Sequence, residues 1–344
     1  MTKKVISLLL MISVCICVFG GSGANAKEKQ FKNQEVQYKY NEDSIFGMPP
    51  MYLTNNGKVQ YIWYEYKKDK KNDITYAEGH TNTIDGKRVI SKASFKDRDI
   101  EYYDRFARVR ALDDKTLTID TMNIQGKPIV KEYDTKGKKI FAYKDKNSTD
   151  RLYDSWDDGR NIYYVYEKQD HDDASYVFCI RCINKKSKKA KDMKSITLDA
   201  NEFNPFSAAG SNLVKIEKGK IYVLCSDKIN VYSLKGKLLN TCRLPDGNRT
   251  IRIGDDSEDV MYLTFNNFCV CGKYIYYCNR NGIYRWNMKG RDGFKLYYNA
   301  EGDEYFGAEY GAEDICVKDK NTIYIMLRDK KETDMPTKLV RYFR

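Results

Sequence analysis

Metal binding, proton transfer and nucleophilic attack each need particular side chains, and this 344-residue chain is short of most of them. It has two histidines, His80 and His171. Both fall in segments that read as loops, where a solvated ring is expected. So few histidines leave little room for imidazole-based metal sites or acid–base work. Of the 10 cysteines, Cys15 and Cys17 lie in an N-terminal apolar run. The others are Cys179, Cys182, Cys225, Cys242, Cys269, Cys271, Cys278 and Cys316. Cys179 and Cys182 make a C-x-x-C, but three residues apart on a strand they face opposite sides, and no second pair completes a zinc set. The thiols read as buried fillers of strand positions; Cys225 with Cys242 is the best-placed disulfide. The acidic runs 154–158 and 255–259 lack the spacing of a calcium loop. There is no Gly-rich phosphate loop, no G-x-S-x-G and no H-E-x-x-H. Neither a metal nor a cofactor is expected.

Acids, aromatic rings and lysines remain, and they cluster. Tyr102, Tyr103, Asp104, Tyr153, Asp154, Trp156, Phe203, Phe206, Tyr305, Phe306, Glu309 and Tyr310 fall in or beside connecting segments rich in acids. Rings bind a cation's face or the apolar face of a sugar, and carboxylates accept N–H and O–H donors. Such groups on one surface suit a saccharide or a peptide. Paired carboxylates can also cleave a glycosidic bond; Asp104, Asp154, Asp157, Asp158, Glu309 and Asp314 are the candidates for a carbohydrate-active enzyme. The opposite chemistry sits in Lys185, Lys186, Lys188, Lys189 and Lys191, a run suited to an anionic cell-wall polymer or acidic lipid heads. Net charge is +12, yet the basic residues are mainly lysine and no nucleic-acid motif is present, so nucleic acid is not the expected partner.

The elements that position these groups begin after residue 26. Lys3 and Lys4, the apolar run Val5–Phe19 and the triplet Ala24-Asn25-Ala26 have the form of a secretory signal cleaved after Ala26. No later apolar run is long enough to span a bilayer. A secreted or cell-wall-associated location follows, and the Lys-, Asn-, Tyr- and Ile-rich composition has a bacterial character. In the mature chain one pattern recurs. A turn with Gly, Asn or Lys leads into a strand rich in Tyr, Ile and Val, starting at Lys58, Lys115, Asn161, Lys220, Lys273 and Asn321. The spacing is close to the about 40–50 residues of a four-stranded propeller blade. Each unit divides into four short strands, a to d, except the last, which lacks its d-strand. The segment EVQYKYN (35–41) can supply it. The expected fold is an all-β, single-domain, six-bladed β-propeller of four-stranded antiparallel blades, its ring closed by the N-terminal strand. An irregular β-sandwich or a seven-bladed ring would use similar strands but not explain the missing one. In such a wheel the d-to-a connections share one face with the b-to-c loops. The c-to-d turns share the other with the a-to-b turns. The acidic, aromatic segments fall mostly in the first set and the lysines in the second.

The fifth unit, 273–296, resembles a blade of the YWTD-type propellers of the low-density-lipoprotein-receptor family. Tyr276-Tyr277-Cys278-Asn279 stands at the YWTD run, with Cys and Asn where the motif has Thr and Asp. Ile283 and Tyr284 match the c-strand, Met288-Lys289-Gly290 the Leu-Asp-Gly turn, and Leu296 the d-strand leucine. The resemblance implies six blades and extracellular binding, and it brings no catalytic residue. The sequence therefore predicts an exported, non-enzymatic recognition module, with a carbohydrate-active enzyme as the alternative.

Overall fold

The structure is a computed structural model that describes residues 30–37, 50–69, 74–99, 105–121, 126–147, 151–168, 175–203, 213–245, 251–253, 261–263, 266–329 and 337–344. Regular structure there is β-strand throughout, apart from one 3-10 turn at Glu304–Phe306. Strand β1 (Lys32–Val36) comes first. Blade one is β2 (Tyr52–Leu53), β3 (Val59–Asp69), β4 (Ile74–Asp85) and β5 (Arg88–Asp97). Blade two is β6 (Arg105–Ala111), β7 (Lys115–Thr121), β8 (Pro128–Asp134) and β9 (Lys139–Lys144). Blade three is β10 (Arg151–Asp157), β11 (Asn161–Lys168) and β12 (Ser175–Asn184), with its outer position shared by β13 (Lys189–Asp192) and β14 (Ile196–Asp199). Blade four is β15 (Val214–Glu217), β16 (Lys220–Leu224), β17 (Lys228–Ser233) and β18 (Leu238–Arg243). A hairpin of β19 (Ile251–Ile253) and β20 (Met261–Leu263) precedes blade five, which is β21 (Asn267–Cys271), β22 (Tyr274–Asn279), β23 (Gly282–Asn287) and β24 (Lys295–Asn299). Blade six has β25 (Tyr310–Asp319), β26 (Thr322–Asp329) and β27 (Thr337–Phe343).

The protein is thus a six-bladed propeller with antiparallel, four-stranded blades. Its ring is closed as the missing strand predicts. β1 pairs antiparallel with β27, from Lys32 opposite Phe343 to Val36 opposite Leu339. The closing strand begins earlier than the 35–41 read from sequence because its anchors do, and 38–41 lie outside the described residues. Phe31 packs edge-on against Tyr297 and Tyr298, and Val36 is buried in a cluster with Tyr324 and Leu339. Gln37 then bridges to Arg88, carrying the chain from blade six to blade one.

Hydrophobic clusters lie between neighbouring blades, so a middle strand is covered on both faces. That is why β11 reads Ile162-Tyr163-Tyr164-Val165-Tyr166 with every one of these residues buried, and not as an alternating strand. The tyrosine hydroxyls carried inward need partners. Tyr133 donates to Asp97 at 2.6 Å and Tyr164 to Asp145 at 2.5 Å. The turns fit as tightly. Gly236 has φ +72°, and a Cβ there would sit 2.7 Å from the carbonyl oxygen of Lys194 in the adjacent blade.

Three sequence expectations change. His80 lies in β4, not in a loop. Part of the basic turn after Asn184 is strand β13, because the KAKD segment completes the edge of β12. Cys225 and Cys242 are both free, and Cys225 instead receives a hydrogen bond from Asn230. The leader expected at 1–26, with Cys15 and Cys17, lies outside the described residues, as does His171. Among the described residues no helix is long and apolar enough to cross a membrane.

Candidate functional site in the central channel

The six inner strands converge on the axis, and a cavity of about 210 Å³ lies among them. Its lining includes residues of β2, β6, β10, β15, β21 and β25, and it reaches the a-to-b turns at Thr54, Lys218 and Gly272. Charge is built into this wall by successive blades. Arg110 of blade two is 5% exposed. Its guanidinium donates to the carbonyls of Ser155 and Ile216 and to the Glu217 carboxylate. It also lies 4.5 Å from the Tyr52 ring centre, a cation–π contact. Asp154 of blade three accepts from the Tyr52 hydroxyl at 3.2 Å and from the backbone N–H groups of Ser155 and Ile216 at 2.8 Å. Lys215 of blade four reaches past blade five to Asp314 of blade six at 3.0 Å, and Asp314 also accepts from the Met51 backbone N–H. Burial pushes the Asp314 carboxyl above its ordinary range. Against the pull of burial, that carboxylate holds the Lys215 ammonium above its own.

Asp154 and Asp314 follow β-bulges, at Leu152/Asp154 and Ala312/Asp314. A bulge re-aims a side chain, and here each carboxylate reaches a backbone N–H of the blade that follows. Each ion of the wall thus has a partner in another blade. Glu217 is its most open carboxylate, 24% exposed at the side chain.

The acids of the d-to-a connections have a second structural use. Asp97, ending β5, accepts from Lys131 of blade two at 2.5 Å. Asp145, just past β9, takes a two-pronged hydrogen bond from Arg181 of blade three, 2.8 Å on each arm. Glu202, past β14, meets Lys228 of blade four at 2.7 Å. In each case an acid at or just beyond the end of one blade's outer strand clasps a cation on the third strand of the next. Three of the acids in these connections are thus inter-blade clasps.

The predicted site residues accordingly separate. Tyr102, Tyr103, Asp104 and Phe206 lie outside the described residues. Tyr153, Phe203 and Phe306 are core residues, 2%, 0% and 4% exposed. Tyr153 gives its hydroxyl to Glu167. Asp154 and Tyr153 do line the channel cavity. Trp156 is half-buried, stacked on Tyr163 at 5.5 Å. It sits near the end of β10 and therefore on the a-to-b turn side, opposite the expected face. Tyr305, Glu309 and Tyr310 are half-buried at the connection into blade six, where the rings of Tyr305 and Tyr310 are 5.9 Å apart. Among the lysines, Lys185 is not a free surface charge. It bonds Glu132 and Asp157, each at 3.1 Å, beside Lys115. Burial pushes Glu132 up; hydrogen bonds from Glu132 and Lys115 hold Asp157 below its usual value against burial. Lys186, Lys188, Lys189 and Lys191 are exposed.

Among the described residues, the carboxylates offered for glycosidic chemistry are likewise engaged. Asp157 is fixed by lysines, and Asp158 accepts from the backbone of Arg160 and Asn161. The run 154–158 does not converge on one point, as a calcium loop would; 255–259 lies outside the described residues. Sequence reading missed Arg110, Lys215, Tyr52 and Glu217. Their signal is weak, because an isolated charge on a two- to seven-residue inner strand looks like any solvated strand residue.

No protein-family model matches the chain, and no curated protein does. Solved structures of low identity resemble it. A protein of unknown function from Dyadobacter fermentans is 11% identical with a TM-score of 0.49, covering 92% of this chain and 100% of the other. A DUF4221 family member from Bacteroides vulgatus is 9% identical with a TM-score of 0.43, over 92% and 98% of the two chains. The α-L-arabinofuranosidase Arb93A from Fusarium graminearum is 11% identical with a TM-score of 0.45, over 92% and 98%.

Proposed function

We propose that this protein is an exported, non-enzymatic recognition module that takes a saccharide or peptide ligand at the a-to-b turn mouth of its central channel, the face opposite the acidic, aromatic one expected from the sequence. The carrying observation is the channel wall. It presents Tyr52, Arg110, Asp154 and Glu217, each already hydrogen-bonded to another blade. Preorganised donors and acceptors favour binding, because little ordering remains to be done when the ligand arrives. They suit catalysis poorly, since glycoside cleavage needs a carboxylic acid free to give up its proton and a second carboxylate free to act as base or nucleophile. The likeness of 273–296 to receptor propeller blades supports the same choice. A glycan and peptide array probed with the mature protein tests it. Glu217→Gln should weaken whatever ligand is found in a protein that still folds, its melting temperature falling only modestly because Asp154 and the carbonyls of Ser155 and Ile216 still hold Arg110. Glycoside turnover, or binding indifferent to Glu217, would overturn it.

The lysines around this same turn face support a second contact. Exposed Lys186, Lys188 and Lys189 share the turn face with Lys136, Lys138, Lys235 and Lys237 from other blades. This face would hold the protein against an anionic cell-surface polymer. Salt-sensitive retention on bacterial walls is the expected result; retention independent of salt would remove the reading.

A further inference from the structure

On the long hairpin of blade one, residues of β3 and β4 meet in a cluster that the channel does not use. Glu65 and Glu78 are directly opposite each other, as are Trp63 and His80. Like charges opposed across a ladder destabilise a sheet unless a cation bridges them. The His80 ring lies 4.3 Å from Trp63 with 14° between planes, which fixes its direction. Its Nε2 falls 3.2 Å from Glu65 Oε1 and 3.4 Å from Glu78 Oε1. The three donor atoms lie within 4.8 Å of one another. In a tetrahedral shell with bonds of about 2.1 Å, donors are about 3.4 Å apart, so the two histidine–carboxylate edges have that length. One imidazole nitrogen and two carboxylate oxygens are a donor set that zinc accepts. A cation already rests on the carboxylates: Lys67 Nζ is 2.6 Å from Glu65 Oε1 and 2.7 Å from Glu78 Oε1, while Lys96 holds the other Glu78 oxygen at 3.2 Å. The Lys67 side chain is 39% exposed and can swing out to solvent.

We propose that Glu65, Glu78 and His80 form a binding site for a divalent ion of the zinc class, with Lys67 as its built-in competitor. The ion takes neutral His80 through Nε2 and both carboxylates, and the Lys67 ammonium leaves to water. Its seat is opposed to the ordinary ion-pair network by one consequence: deleting the lysine should strengthen metal binding.

The test titrates Zn²⁺ into the full mature protein, Lys67→Gln and His80→Gln, reading the heat of binding and the melting temperature. The wild type should bind. Lys67→Gln should melt lower without metal, bind zinc roughly tenfold tighter or more, a change of the size produced by altering groups that touch metal ligands, and recover its melting temperature with it. His80→Gln should lose binding in either background. Cobalt(II) should give the visible absorption of a four-coordinate site in the wild type and not in His80→Gln. This readout stands if Lys67→Gln fails to fold. Zinc binding that survives in His80→Gln would place the ion on thiols or elsewhere. No binding by the wild type, or no gain in a folded Lys67→Gln, would leave the cluster as an ion-pair network alone.

Discussion

At the scale of single residues, the protein places charge where a neighbouring blade can answer it. Asp145 shows the energetics most clearly. Its residue is 1% exposed. Burial pushes its carboxyl up, but the Arg181 fork and the Tyr164 hydroxyl outweigh burial and hold it below its usual 3.8. A carboxyl with a depressed folded value stabilises the fold above its unfolded value and loses that contribution as pH falls through the folded one. Wild-type stability should therefore begin to drop below about pH 4. Asp145→Asn should cost about 3 kcal/mol at neutral pH, because it removes the buried one of the two counter-charges of Arg181 and leaves only the half-exposed Asp192, and should flatten that acid limb. Urea unfolding midpoints from neutral to strongly acidic pH check both; an unchanged acid limb in Asp145→Asn would move the effect to other carboxyls. The thiols give a second residue-scale outcome. Burial pushes Cys225 and Cys278 up to about 12, so neither is a thiolate near neutrality. A thiol reagent should find the folded protein nearly inert, with half-buried Cys179 and Cys271 first to react. A melting temperature that falls on adding reductant would restore the disulfide reading.

At the scale of elements, the strand that closes the ring matters most. β27 would otherwise be an open edge, with unpaired N–H and C=O groups free to recruit another chain. Removing residues 27–36 should lower the melting temperature sharply and produce aggregation, and Val36→Ala should cost about 1–2 kcal/mol from lost burial. Thermal scans with light scattering decide; a truncated chain that stays monomeric with wild-type stability would show that β1 is dispensable. The middle strands were legible in the sequence because burial on both faces makes them continuous aromatic and aliphatic runs, as in Ile162–Tyr166. The absent fourth strand of the last unit revealed the closure. β13 was illegible, since KAKD has no apolar pattern and becomes a strand only by completing the edge of β12. His80 was misplaced for a related reason. Glu78, His80 and Asn82 put polar groups on the inward side of β4, satisfied by ion pairs or a backbone carbonyl, so the strand lacks alternation. The clasps were invisible in principle. Nothing in the residues around Asp145 says that Arg181 will stand beside it.

At the scale of the whole molecule, the sharpest claim is that lysines adjacent in sequence belong to different systems. The wheel gathers a-to-b and c-to-d turns on one face, so lysines distant in sequence lie together there. Lys186, Lys188 and Lys189 are exposed, whereas Lys185 turns inward to Glu132 and Asp157 between blades two and three. An exposed lysine near an anionic surface contributes about 1 kcal/mol, and salt screens it. Replacing Lys186, Lys188 and Lys189 with Gln should thus weaken retention on an anionic polymer by about 3 kcal/mol, on the order of a hundredfold at low salt, and leave the melting temperature within a degree or so, because nothing buried is lost. Lys185→Gln should do the reverse. It leaves two buried carboxyls with only Lys115 between them, so stability should fall by several kcal/mol while retention by the folded fraction is nearly unchanged. Paired binding and melting measurements on these two variants separate the roles. If Lys185→Gln weakens retention as much as the triple variant does, the inward ion cluster is not a structural unit, and the division of charge between the turn face and the blade interfaces is wrong.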